Sequence, residues 1–368
     1  MDVRIVDQAV SISRYYNGHL TVRADSLCPP ERAFIASKKD GKPESSKASK
    51  KRKRQQELLD QLMQQGKFVP VDRHVIALLS RAHDEFKHQP SPDLPKIDAC
   101  DAATPVEQWA VLDSPTGSVQ HNPADAPAVT SCATCSSNVF VPAKSRFARA
   151  DVRHIRKLDL GRHGLITVDP PWENKSVGRG KQYPTFHHTE LLNVDVQSVA
   201  SNDECVLGVW VTNKPLYKTF ILDTLLPHWG FHFVSTWYWL KVCVNDELVT
   251  PLESTHSLPF EQLIVACRAP SSEKQKALRD RIGERTRVVV SVPLRHSWKP
   301  PPECFFGGEV VSADTPKLEL FARELRPGWT SVGYEVLKFQ HPEFLSAAKD
   351  KAAARFNQSQ DDHVQHTD

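Results

Sequence analysis

From about Arg146 onward the apolar residues come in short bounded runs. Gly164-Leu165-Ile166-Thr167-Val168 is the clearest, and it ends in an acid; Cys205–Val211, Phe231–Leu240, Leu263–Ala269, Val288–Val292, Leu318–Ala322 and Thr330–Tyr334 follow. Apolar runs of this kind between Gly, Pro and polar breaks predict strands. Between them, Thr189–Ala200, Leu216–Trp229 and Pro302–Val311 have helical spacing. Strands alternating with helices predict an α/β fold of three layers around a largely parallel sheet. In such sheets ligands sit beyond the carboxyl ends of the strands.

The pattern before Arg146 is different. Residues 1–36 hold short alternating stretches, Val3-Arg4-Ile5-Val6 and His19-Leu20-Thr21-Val22, and predict a small β-rich unit. Residues 37–56 form a basic linker around Lys50-Lys51-Arg52-Lys53-Arg54. So dense a run stays solvated, and it reads as a nuclear-import signal, as a phosphate-binding arm, or as the start of a solvated helix. The helix reading rests on Gln55–Gln65, which puts Leu58, Leu59, Leu62 and Met63 on one face. Asp72–Lys87 predicts a second helix, with Val75, Leu78, Leu79 and His83 on a common side. Residues 57–145 thus read as a connecting region, helical at first and rich in Pro, Ser, Asp and Ala from 89 on. The main domain is expected over 146–342, with a C-terminal helix and polar tail over 343–368.

Composition narrows the class only a little. Hydrophobic residues make up 40% and charged residues 25%, as in an ordinary soluble protein. No run of eighteen apolar residues occurs and no signal-peptide core precedes the first strand, so no membrane role is expected. A net charge of +3 means that nucleic-acid binding would have to come from local basic patches. The eight Cys lack disulfide-like spacing and fit a reducing compartment; Cys132-Ala-Thr-Cys135 is a lone CxxC without a second ligand pair. No Gly-rich dinucleotide fingerprint is present.

The chemistry concentrates where the first strand ends, at Asp169-Pro170-Pro171-Trp172. Proline lacks an N–H, so this corner joins a carboxylate, carbonyls outside any strand ladder and a flat aromatic face. Such a set suits an exocyclic amino group on a planar ring. The bland reading is a Pro-rich turn with a packing Trp.

Around that corner lies a series of blocks in a fixed order: Asp151-Val152-Arg153, Tyr183-Pro184-Thr185-Phe186, Trp237-Tyr238-Trp239-Leu240-Lys241, Pro259-Phe260-Glu261-Gln262, His296-Ser297-Trp298-Lys299-Pro300, Lys317–Arg323 and Gly328–Gly333. With them the chain resembles the S-adenosylmethionine-dependent adenine-N6 methyltransferases that share a DPPW motif, over about half its length, and most of all their methyltransferase-like protein four branch. The resemblance implies a Rossmann-like methyltransferase fold, S-adenosylmethionine as cofactor and Asp169, Pro170, Pro171 and Trp172 as the catalytic corner. It assigns Asp151 and Val152 to the cofactor adenine, Lys299 to the cofactor carboxylate and Arg323 to the cofactor pocket, with Asp169 and Pro170 beside them. Arg323-Glu324-Leu325-Arg326-Pro327 is shorter than the family turn, and Gly333-Tyr334-Glu335 replaces an Asn-Gln pair, though Glu335 still offers two acceptors to ribose hydroxyls.

On the substrate side, Trp172 and Tyr183 are expected to stack on the base. The Gly-containing loop Asn174 to Gln182 brings Lys175, Arg179 and Lys181, read as phosphate contacts or as solubilising charge. Arg295, next to His296, is a candidate for RNA phosphate or for the cofactor carboxylate. His187-His188 reads equally as a substrate contact or a surface turn, Trp237 and Trp239 as core and pocket wall, and Glu261 as a salt-bridge partner near the cofactor. No metal is expected. The resemblance implies RNA as partner, specifically an adenosine of U2 small nuclear RNA that already carries a 2′-O-methyl group, with adenine in DNA left open. The related mRNA enzyme works with an inactive partner, but the intact DPPW and an N-terminal region of its own point to activity as a single chain; the expected location is the nucleus, with the cytoplasm left open. Rival readings are a non-catalytic RNA-binding homologue and methylation of a protein amide or amine.

Overall fold

The computed structural model describes residues 1–16, 20–23, 26–31, 33, 71–88, 118–132, 137–173, 186–254, 257–283 and 285–347. Its strands are β1 Asp2–Ile5, β2 Leu20–Val22, β3 Gln120–His121, β4 Ala128–Cys132, β5 Ser137–Val141, β6 Arg146–Ala148, β7 Leu165–Val168, β8 Cys205–Val211, β9 His232–Lys241, β10 Phe260–Arg268, β11 Arg287–Ser291, β12 Lys317–Leu320, β13 Trp329–Val332 and β14 Leu345–Ala347. Its α-helices are α1 Gln8–Arg14, α2 Arg73–Lys87, α3 Val196–Val199, α4 Pro215–Phe220, α5 Leu226–Trp229 and α6 Ser272–Ile282.

Ten strands form one sheet in the order β1-β11-β9-β10-β8-β7-β12-β13-β6-β3. All neighbours pair in parallel except around β10, which is antiparallel to both β8 and β9, and at the β3–β6 edge. The chain leaves β7 for β8 on one side and returns to β12 on the other, so the strand order reverses at β7. That is the topological switch point, where an open α/β sheet leaves a crevice for ligands.

Side-chain alternation fixes the layers. Ile166 and Val168 of β7, with Leu207, Val209 and Val211 of β8, pack on one face against Leu191, Val196, Val199 and the α4–α5 residues Tyr217, Phe220 and Trp229. Leu165, Val206 and Trp210 point to the other face, against Leu278 and Ile282 of α6 and against Phe305 and Phe306. Both faces are covered, which explains why these strands read as unbroken apolar runs. The predicted fold class, a three-layer, mostly parallel Rossmann-like α/β sheet, is the one observed.

The elements differ from expectation in several places. Asp2–Ile5 is no separate unit; it is the edge strand of the main sheet, parallel to β11. Helix α2 packs Leu79, Ala82 and Phe86 against Tyr238, Val288 and Val290, so part of the supposed connecting region covers the sheet. β3 also joins the sheet, at its edge against β6, from a stretch expected to be loops up to 145. Thr189–Ala200 resolves into a 3₁₀ segment, His188–Asn193, and the single turn α3. Pro302–Val311 keeps only a 3₁₀ turn, Pro302–Cys304, since Gly307 and Gly308 in its interior disfavour a helix. Leu345–Ala347, expected as a helix, pairs antiparallel with β2. The basic run, the Gln55–Gln65 helix and the polar tail from 348 on lie outside the described residues. No helix of the described chain is long and apolar enough to cross a membrane.

Candidate active site

β7 delivers Asp169 to the switch point. Its backbone N–H donates to Leu320 O at 3.3 Å, which keeps the corner in register with β12 as the prolines turn the chain away. The carboxylate is buried, and its Oδ2 accepts from Lys299 Nζ at 3.1 Å and Arg323 Nη1 at 2.6 Å. Both contacts fall on the same oxygen. Pro170 O accepts the Trp172 amide at 2.8 Å, so this carbonyl is not free of partners as the sequence suggested; one of its two lone pairs is in use.

The two cations continue into a ribbon of alternating charge. Lys299 also meets Glu261 Oε2 at 3.1 Å, and Glu261 pairs with Lys241. On the other side Arg323 Nε donates to Glu335 Oε2 at 3.1 Å, and Lys338 Nζ to Glu335 Oε1 at 3.0 Å. The order is therefore Lys241, Glu261, Lys299, Asp169, Arg323, Glu335, Lys338. Sheet topology makes this possible: β10 runs against its neighbours, so Glu261 at its start lies with Lys241 and Asp169 at the ends of β9 and β7. Burial by itself would lower the Lys299 pKa; Asp169 and Glu261 outweigh it and leave the ammonium above its ordinary value despite Arg323. Burial likewise opposes charge on Glu261, yet Lys299 and Lys241 hold its carboxyl well below the usual range. Arg323 is favoured in the same sense by Asp169 and Glu335.

Trp172 is half-buried and held on two sides. Its Nε1 donates to Trp210 O at 2.8 Å, and one ring face stacks on Tyr217 with centroids 4.7 Å apart. Tyr217 OH in turn donates to Glu173 O at 3.0 Å. Tyr217 comes from α4, whose continuation to α5 passes through a π-helical turn, Ile221–Leu225. Pro227, inside the following turn, has no N–H and its ring crowds the carbonyl four residues back; the wider π turn absorbs that conflict.

The remaining predicted residues separate clearly. Asp151 reaches the same edge of the sheet just after β6, but its carboxylate accepts from the Arg153 amide and guanidinium and from Tyr334 OH at 3.0 Å. Burial would raise its pKa, and those bonds to Arg153 and Tyr334 more than reverse it. Val152 is 3% exposed and its side chain belongs to the core, so only its backbone is available to a ligand. Arg295 donates to Ser26 O at 2.7 Å and lies over the Phe344 ring, engaged inside the protein instead of offered to a phosphate. Tyr183, Lys175, Arg179 and Lys181 lie outside the described residues. Trp237 is core; Trp239, also buried, donates to Ser291 Oγ and underlies Lys241.

Sequence reading left Tyr217, Lys241 and Lys338 out of the site. Only the pairing register and the α4 face reveal them. It also expected no metal-like spacing, whereas Glu173, His187 and His188 each offer a ligand atom, all within 4.8 Å of one another. Burial, first, and then His187 lower the His188 pKa against the pull of Glu173.

The donor set fits S-adenosylmethionine chemically. Lys299 and Arg323 are largely buried cations suited to an amino-acid carboxylate, Glu335 offers acceptors suited to a ribose diol, and all three lie with Asp169 at the crevice of the sheet.

Comparison with known proteins agrees with this placement. Residues 163–335 match the MT-A70 family model. The chain is 36% identical over 220 residues to human "N(6)-adenine-specific methyltransferase METTL4", covering 57% of this chain and 45% of that protein. It is 31% identical over 245 residues to "N6-methyladenosine RNA methyltransferase MTA1" of Pyricularia oryzae, covering 61% and 62%. It is 32% identical over 210 residues to the "DNA N6-methyl methyltransferase" of Caenorhabditis elegans, covering 55% and 54%. The chain spans about half the length of the curated METTL4 relatives it matches. Motif, topology and similarity agree: residues 163–335, just under half of the chain, carry the MT-A70 match, and the chain is similar to METTL4.

Proposed function

We propose that this chain is an S-adenosylmethionine-dependent adenine-N6 methyltransferase acting on nucleic acid, with RNA as its substrate. The observation that carries the reading is the buried Asp169 carboxylate at the switch point, clamped on one oxygen by Lys299 and Arg323 beside the braced Trp172 ring. When bound, the cofactor supplies an electrophilic methyl group on a sulfonium.

The protein's part is to hold and orient the acceptor. Adenine N6 is a poor nucleophile because its lone pair is delocalised into the ring. Asp169 Oδ1, which takes neither cation, accepts one amino hydrogen, and the remaining lone pair of Pro170 O accepts the other. Two acceptors favour a localised lone pair on the nitrogen. Trp172 offers the base the ring face that Tyr217 leaves uncovered, worth about 1–3 kcal/mol of stacking. A base reaches this crevice only unpaired or flipped out of a helix. Lys299 and Arg323 keep the carboxylate oriented, so little reorganisation is needed as charge shifts.

The preferred substrate is an adenosine of U2 small nuclear RNA already bearing a 2′-O-methyl group, and the chain works without a partner protein. Support for this narrower claim comes from the sequence resemblance to the METTL4 branch; adenine in DNA is the rival, favoured by the nematode relative. The run Lys50–Arg54 supports a nuclear address, tested by replacing those residues with Ala in a fluorescent fusion and looking for loss of nuclear signal. The activity test is incubation with total small RNA or with DNA and methyl-labelled cofactor, digestion to nucleosides and mass spectrometry. Label is expected in N6-methylated 2′-O-methyladenosine, and none with Asp169→Asn. Label in deoxyadenosine would move the substrate to DNA. Label in protein, or none at all, would overturn the reading.

A further inference from the structure

Lys299 reaches Asp169 from a loop whose shape depends on the first 28 residues of the chain. Ser297, two positions before it, has φ +67°, a left-handed conformation that a non-glycine residue keeps only where its surroundings impose it. Phe339, Phe344 and Glu324 hold Trp298 on one side, and the N-terminal segment holds the loop on the other. Gln8, 1% exposed in the first turn of α1, donates from Nε2 to Trp298 O at 3.1 Å and to Lys299 O at 2.9 Å. Both amide hydrogens are thus spent on consecutive carbonyls of the loop. Cys28 N–H donates to Leu294 O at 2.8 Å, and Ile12, Tyr16 and Leu27 pack against Leu294 and Trp298. Helix α1 is itself set in place by Asp7, whose side chain caps the Val10 amide.

The cost side of Gln8 is informative. Its Oε1 is buried without a hydrogen-bond partner, a penalty that an apolar side chain of the same length would avoid. Core packing alone gives no reason for an amide there. Serving two loop carbonyls does.

We infer that Gln8 is a positioning residue for the active site: it fixes the Trp298–Lys299 backbone so that the Lys299 ammonium lands on Asp169 and Glu261. The N-terminal segment, outside the 163–335 region that matches the family, is then part of what makes the site competent. The role rests on the methyltransferase reading for its effect on cofactor binding, but the loop geometry can be tested apart from it.

Gln8→Met keeps length and volume and removes both donors. Cofactor affinity by calorimetry is compared for the wild type, Gln8→Met, Lys299→Met and the double variant. Gln8→Met is expected to weaken cofactor binding about tenfold, with the nucleic-acid KM within about twofold of wild type. In the Lys299→Met background it should add nothing, because a residue that acts through Lys299 has no effect once that side chain is gone. Hydrogen exchange should speed up at the amides of 294–299 and stay unchanged in β8. Unaltered exchange in that loop overturns the inference, and so does a Gln8→Met effect that persists undiminished beside Lys299→Met. If Gln8→Met does not fold, Gln8→Asn, which draws the donors back by one methylene, takes its place in the same cycle. A wild type that binds no cofactor sinks the methyltransferase reading, while the exchange measurement still decides the role of Gln8.

Discussion

Both cations on Asp169 are aimed by strained backbone. Ser297 precedes Lys299 by two positions and Phe321 precedes Arg323 by two, and both have positive φ, +67° and +59°. A non-glycine residue in that region costs on the order of 1 kcal/mol or more. Neither residue is a glycine, so the strain survives because neighbouring contacts over-determine each turn. Trp172 tests the site at the same scale, since Tyr217 stacks on one of its faces and the proposal places the base on the other. Trp172→Ala should raise the nucleic-acid KM roughly 10- to 100-fold, as a lost stacking partner implies, while cofactor affinity moves little. Steady-state kinetics and cofactor calorimetry check this; an unchanged KM with a lowered melting temperature would place the ring in the core. That Asp169, Lys299 and Arg323 meet at one crevice was legible because contiguous motif blocks carry them; Glu335 joins them from a stretch where the chain departs from the family pattern. Asp151 and Arg295 were less so, because the partners that occupy them, Tyr334 and Ser26, are distant in sequence.

Elements were legible in proportion to how fully packing dictates them. Strands buried on both faces, such as β7 and β8, appear in the sequence within a residue of where they fold. Helix α6 escaped notice because it is mostly charged and buries only Leu278 and Ile282, so little apolar periodicity marks it. The edge strand β1 looked like a separate unit because pairing with β11, nearly three hundred residues away, is invisible locally. Close approach of elements is equally hidden until the backbone is seen. A Cβ on Gly333 would lie 2.9 Å from both Ala322 N and Ala322 O, backbone atoms that cannot step aside. Gly333→Ala should therefore push β13 from the end of β12 at a cost of about 1–3 kcal/mol and pull Arg323 off Asp169. Thermal melts are expected to show the lost stability, and calorimetry a loss of cofactor affinity beyond what Asn or Ser changes on the far sheet edge cause. Wild-type affinity in a folded Gly333→Ala protein would mean that Arg323 tolerates the shift.

At the scale of the molecule, the Lys299 loop and β12 are joined beneath the site by a buried charge cluster. Arg326, 2% exposed, pairs with Glu319 of β12 and with Glu324 at 2.6 Å, and Trp298 Nε1 donates to the other Glu324 oxygen. Burial is the main cause that pushes Glu324 up, from 4.5 to about 7; Glu319 and Glu303 add to it and Arg326 and Trp298 oppose it. A carboxyl with a raised folded pKa binds its proton more tightly in the native state. Its contribution is complete below about pH 4.5 and is lost as pH rises through about 7. The loss is on the order of 3 kcal/mol at most, because Arg326 retains part of its attraction for the ionised form. Glu324→Gln keeps an acceptor for Trp298 and removes the titration. Wild type and variant should melt close together at pH 4.5, and between pH 5 and 7 the wild type should fall behind by several degrees. His163, lowered by burial to about 4, destabilises both proteins alike on the acid side and cancels in the difference. Parallel melting curves across that window would show that Glu324 stays ionised against Arg326, and that the cluster joins loop to strand as a permanent ion network.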